Sequence, residues 1–154
     1  MCHLPIEIDD DEKIVRAILC PAHVKPGSKD IRHQAFRSRP GTDEVSVIRH
    51  SYMGSDFCKR KGKEIEAGWP KNAFVGLAVT LASAIRNSGS SVHDSREEYF
   101  GHAHISHGFI LPANEPPPPE LNLKLTDRCK TILSSVTYHA DPNPSSAGWT
   151  GPTF

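Results

Sequence analysis

Residues 73–87 read Ala73-Phe74-Val75-Gly76-Leu77-Ala78-Val79-Thr80-Leu81-Ala82-Ser83-Ala84-Ile85-Arg86-Asn87, and the secondary structure assigned to them decides the fold. Phe74, Val75, Leu77, Ala78, Val79, Leu81, Ala82 and Ile85 are apolar on nearly every side of a helical projection, as expected of a central helix packed by its neighbours. Pro70 resets the chain before it, and Gly89 supplies a C-terminal stop after it. The sequence therefore predicts a buried helix near 73–87.

Upstream, Ile14, Val15, Ile18 and Leu19 are spaced as one helical stripe behind Asp9, Asp10, Asp11 and Glu12, which suit the N-terminal end of a helix dipole. Pro21 closes this first predicted helix. A Gly- and Pro-rich loop runs from Lys25-Pro26-Gly27 to Arg39-Pro40-Gly41, and Glu44 to His50 alternates β-branched and polar residues as a short strand does. Ser55 reads as an N-cap with Asp56 in the first turn. Phe57, Cys58 and Ile65 lie on the inner side of that helix, its lysines are outside, and Gly62 weakens its second half.

Downstream, Ser91–Arg96 and His102–Leu111 read as strands, and Pro116–Pro119 as an extended polyproline segment that leads into a helix. Leu121, Leu125, Cys129, Ile132 and Val136 recur at helical spacing and mark the clearest helix of the chain. The expected fold is a single α+β domain over 1–139, with about four helices packed on a small mixed sheet. Residues 140–154 form an irregular tail rich in Pro, Gly and Ser, with Trp149 as its anchor.

Composition bounds the function. The chain has 154 residues, 37% apolar and 23% charged, and its 18 basic side chains balance 18 acidic ones. A chain of this length buries a core unaided. Zero net charge excludes a wholesale polyanion binder, and the acidic start with no long apolar run argues against export or a membrane partner. Charge is uneven, however: residues 23–63 carry ten basic and four acidic groups, against two and five before them and six and nine after. Residues 23–63 are thus the expected contact for a nucleic acid or other phosphate-bearing substrate, and the Pro-rich stretch for a protein partner. Cys2, Cys20, Cys58 and Cys129 are widely spaced with no C-x-x-C pair, so they are expected reduced, in a cytoplasmic setting.

The densest chemical feature is Gly101-His102-Ala103-His104-Ile105-Ser106-His107-Gly108. On a strand, alternate side chains share a face, so His102 and His104 project together while His107 points the other way. Such a pair has two uses. It supplies two nitrogens to zinc or another divalent metal, with His50 and His107 as the further candidate ligands and Cys20-Pro21-Ala22-His23 as a C-x-x-H half-site. Without a metal, the two rings act as general base and general acid, as in a ribonuclease where RNA supplies its own hydroxyl nucleophile. Asp94 is then expected to orient an imidazole, and Arg49 or Arg96 to stabilise charge on the phosphorane. The expectation is a small hydrolase of phosphodiester or related bonds, with an RNA-binding or protein-docking accessory subunit as the alternative. No phosphate-cradling glycine motif and no G-x-S-x-G elbow is present.

Overall fold

A computed structural model describes residues 3–154, so Cys2 lies outside the described residues. The elements run β1 (Lys13–Cys20), a 3-10 turn (His33–Phe36), β2 (Glu44–Arg49), α1 (His50–Ala67), β3 (Ala73–Leu81), α2 (Ala82–Asn87), β4 (Ser91–Asp94), β5 (His102–Ser106), α3 (Pro119–Ser134) and β6 (Thr137–Ala140). The six strands form one sheet in the order β4-β5-β2-β1-β3-β6, with every neighbouring pair antiparallel. The α+β character agrees with expectation in outline. The sheet is larger than predicted and wholly antiparallel rather than mixed, and it carries three α-helices and one 3-10 turn. Among the described residues, no helix is long and apolar enough to cross a membrane.

Two predicted helices are strands, for the same physical reason. Both faces of β1 are buried: Ile14 and Ile18 enter one core, Val15 and Ala17 the other. A strand covered on both sides loses its polar alternation and becomes a near-continuous apolar run. β3 repeats this, with Phe74, Leu77 and Val79 on one side and Ala78 on the other. Its register slips between Ile18↔Gly76 and Leu19↔Phe74, leaving Val75 as the extra residue of a bulge. Only the end of the predicted central helix survives, as the short α2, with Ala82 and Ile85 buried.

The helices divide between the two faces. α2, α3 and the 3-10 turn cover the larger core, around Phe36, Val47, Ile105, Leu125 and Ile132. α1 connects β2 to β3 across the intervening β1 and covers the second face at β1 and β3. Gly54 breaks α1 internally (φ 81°, ψ 171°), so its regular part begins near Ser55. At Gly62 a Cβ would lie 2.5 Å from the Phe74 ring, so this glycine permits the close approach of helix to sheet. Lys59 is fully buried rather than on the outer face. After β6 the chain has no further helix or strand, and it returns along α1, where Asp56 accepts the Trp149 N–H at 2.7 Å.

Buried histidines give the fold an acid-sensitive character. His23 accepts the Leu19 N–H through Nδ1 at 3.0 Å, and burial, then the nearby Arg16 charge, lowers its pKa to about 3. His107 is fully buried between the Ser90 hydroxyl and the Phe36 carbonyl, and burial lowers it too. A histidine whose folded pKa is depressed stays neutral when folded, while the unfolded chain takes up a proton near pH 6.5. Stability from His23 is therefore complete above about pH 6.5 and declines as the pH falls towards 3. Urea titrations at stepped pH should show His23→Gln, which keeps an acceptor, losing about 1.4 kcal/mol less per pH unit between about pH 6 and 4 than the parent protein. Equal slopes in the two proteins would refute this origin.

Candidate functional site

The site lies where β1 and β2 part company. These strands share only two registered pairs, Ile14↔Arg49 and Val15↔Ile48, before they diverge. Arg16 lies at the opening. Its Nε donates to the Ala35 carbonyl of the 3-10 turn at 3.0 Å and its Nη1 to the Ser46 carbonyl of β2 at 2.9 Å, tying the turn and the strand together across the opening. Burial, and next the charge of Arg39, lower the Arg16 pKa to about 10. Arg37 donates to Thr126 at 3.2 Å and to Asn122, both neutral. None of Arg16, Arg37 and Arg39 forms an ion pair with a carboxylate among the described residues.

These three guanidiniums line a hollow of about 390 Å³ together with Ser46, Ser95, His102 and His104 and with three carboxylates, Glu44, Glu97 and Glu98. Strand register explains the convergence. Ser46 pairs with His104 and Ile48 with His102, so serine and both imidazoles share the face that α1 leaves open at the β5 end of the sheet. The exposed Ser46 hydroxyl lies 2.6 Å from His102 Nε2, and the buried Ser95 hydroxyl lies 2.6 Å from Nδ1. Burial holds the His102 pKa below the ordinary value; Glu98 and a main-chain bond to Ser95 oppose that shift. Each ring nitrogen thus faces a serine hydroxyl that can donate or accept, so either can carry the proton of the neutral ring. With the proton on Nδ1 and donated to Ser95, Nε2 has a free lone pair facing Ser46. This is the tautomer in which imidazole draws a proton from a serine hydroxyl. His104 Nδ1 makes no hydrogen bond and faces Glu44 Oε1 at 3.9 Å, with the exposed His93 ring 5.4 Å away.

No protein family, characterised protein or solved structure matches this chain. Its geometry alone ranks the candidate residues.

His102 and His104 are brought together; the other sequence candidates are not. Asp94 pairs in register with Ala103, on the opposite face of the sheet, and binds Arg49 at 2.7 Å and Arg96 at 2.8 Å. It contacts neither imidazole, and Ser95 takes the orienting position next to it in sequence. Arg49 is buried with Glu12, and Arg96 also donates to the Leu4 carbonyl, so neither guanidinium lines the hollow. His107 has both ring nitrogens bonded inside the larger core. His50 stacks on Phe154 at 4.4 Å, at the far end of β2. Hence His50, His102, His104 and His107 do not converge, and no three His, Cys, Asp or Glu side chains among the described residues are grouped to hold a metal ion. In the Cys20/His23 half-site, His23 Nδ1 accepts the Leu19 N–H. The Cys58 and Cys129 thiols are equally remote from chemistry, with burial pushing Cys58 up to about 12 and Cys129 up to about 11.

Sequence reasoning missed Arg16, Ser46 and Ser95. Arg16 was hidden by the helical reading of its strand. Ser46 carried one usable signal: between Val45 and Val47 it must face away from the side that those valines bury.

Proposed function

We propose that the protein hydrolyses phosphate esters, phosphodiesters foremost, through Ser46. The observation that carries this reading is the 2.6 Å contact between an exposed serine hydroxyl and His102 Nε2, in a hollow lined by three guanidiniums that form no ion pair among the described residues, with Glu44, Glu97 and Glu98 also on its wall. Arginines free of ion pairs suit a phosphate, whose oxygens accept their fork of donors and whose growing charge they stabilise. The protein's own hydroxyl takes the place of the RNA hydroxyl invoked from sequence.

In the first step Ser46 Oγ attacks phosphorus and its proton passes to His102 Nε2. The bond from phosphorus to the leaving oxygen breaks, and protonated His104, supported by Glu44, gives that oxygen its proton. Water then attacks the phosphoserine and yields a proton to His104, while His102 returns its proton to Ser46 as the Oγ–phosphorus bond breaks. Each imidazole ends as it began. The depressed pKa of His102 keeps it neutral and basic at pH 7.

Hydrolysis of bis(4-nitrophenyl) phosphate tests the reading. Ser46→Ala and His102→Gln are each expected to lower kcat by about 10²- to 10⁴-fold. The parent protein's rate is expected to fall on acidification through a pH below the ordinary histidine range, as His102 gains a proton there. Turnover unaffected by Ser46→Ala would overturn the role of the serine. Tight phosphate binding with no turnover of any ester would leave an anion-binding module, the accessory alternative raised by the sequence.

A further inference from the structure

The same three arginines face a second hollow. Arg16, Arg37 and Arg39 line both this space, of about 820 Å³, and the one that holds the imidazoles, so they stand where the two meet. The second hollow is also lined by one carboxylate, Glu64. It offers Trp69 and Ile65, 38% and 37% exposed respectively, and His23, whose ring meets the indole edge-on at 5.9 Å and 67°. His23 is nearly buried and bonded to the main chain, so it gives Trp69 a fixed backing. An accessible aromatic face next to unpaired guanidiniums combines the two elements that recognise a nucleotide: a surface for the base and cationic donors for the phosphate.

We propose that this second hollow receives the base of a nucleoside phosphate, stacked on Trp69, while its phosphate lies on the arginines at the entrance to the Ser46 site. The inference rests on the reading of that site as a phosphate site, and it names the substrate class as nucleotide esters or short single strands. Ile65 supplies apolar contact for the base or sugar. The uncharged surface of Trp69 makes the platform tolerant of base identity, since every base has a stacking face.

Calorimetric titration with adenosine 5′-monophosphate, ribose 5-phosphate and inorganic phosphate tests it on the full chain. Adenosine 5′-monophosphate is expected to bind about tenfold or more tightly than ribose 5-phosphate, as base stacking would give. In Trp69→Leu that advantage should vanish while ribose 5-phosphate affinity stays unchanged, with circular dichroism confirming an intact fold. Equal binding of the two compounds by the parent protein would overturn the base platform and leave the phosphate site standing. A preference that persists in Trp69→Leu would also overturn it. If none of the three compounds binds, both the platform and the phosphate reading fall.

Discussion

An Arg49→Met protein is expected to lose about 3–5 kcal/mol of stability in urea denaturation, the range found when one member of a buried charge pair is removed. Arg49 is fully buried. Its Nε and Nη2 donate to Glu12 at 2.6 and 2.8 Å, and its Nη1 donates to Asp94 at 2.7 Å and to the Pro5 carbonyl at 2.5 Å. Burial works against this charge, yet the two carboxylates hold the guanidinium protonated more firmly than in water. Methionine would fill the volume and leave Glu12 charged in a space with no counterion. Asp94 would keep Arg96, so most of the loss belongs to Glu12. A second change, Glu12→Leu, should therefore restore much of the stability, because an apolar pair can replace a buried ion pair at little cost. Folded Arg49→Met protein should retain phosphate binding, since Arg49 lies across the sheet from the Ser46 hollow. Loss of binding without loss of stability would return Arg49 to the substrate-binding role suggested by sequence alone.

The second large effect is expected at Lys59, on the helix beneath the C-terminal segment. Its Nζ donates to the Asn143 carbonyl at 3.0 Å, Ser146 Oγ at 2.9 Å and the Gly148 carbonyl at 2.7 Å, and it pairs with Asp141 at 2.7 Å. Both ionised side chains are fully enclosed. One ammonium thus organises a stretch that has no helix or strand hydrogen bonds of its own. Lys59→Met strands the Asp141 charge and leaves the Asn143 and Gly148 carbonyls with only the Ser146 hydroxyl between them. A loss of about 3–5 kcal/mol is expected, together with protease cleavage within residues 142–150 where the parent protein resists. Asp141→Asn in the Lys59→Met background should recover part of the stability but not the protection, because the single Ser146 proton cannot replace the ammonium at both carbonyls. A Lys59→Met protein that resists proteolysis like the parent would refute the anchoring role.

Legibility from sequence followed burial. α3 was readable because only one of its faces is covered, which preserves the helical spacing of Leu125, Cys129 and Ile132. β2 and β5 were readable because one face of each carries polar groups. β1 and β3 are sandwiched between two cores, and that removes the alternation by which a strand is recognised. The shared face of His102 and His104 followed from strand period alone. Their meeting with Ser46 depended on register between segments 56 residues apart, and their meeting with Arg16 on the divergence of two strands, one of them read as a helix. Lys59 was misplaced because a lysine in a helix ordinarily belongs at the surface, and its partners lie more than 80 residues downstream.

The gap between β1 and β2 limits how this site can evolve. Arg16 closes the rift with two of its donors and presents the same guanidinium to both hollows, so structural cohesion and ligand recognition are fused in one side chain. Substitution there cannot retune affinity without also loosening the junction of the two halves of the sheet. Arg37 and Arg39 sit on the connecting loop and carry no such obligation to the sheet. Divergence in ligand preference among descendants of this fold should accumulate at those two positions, with position 16 held constant.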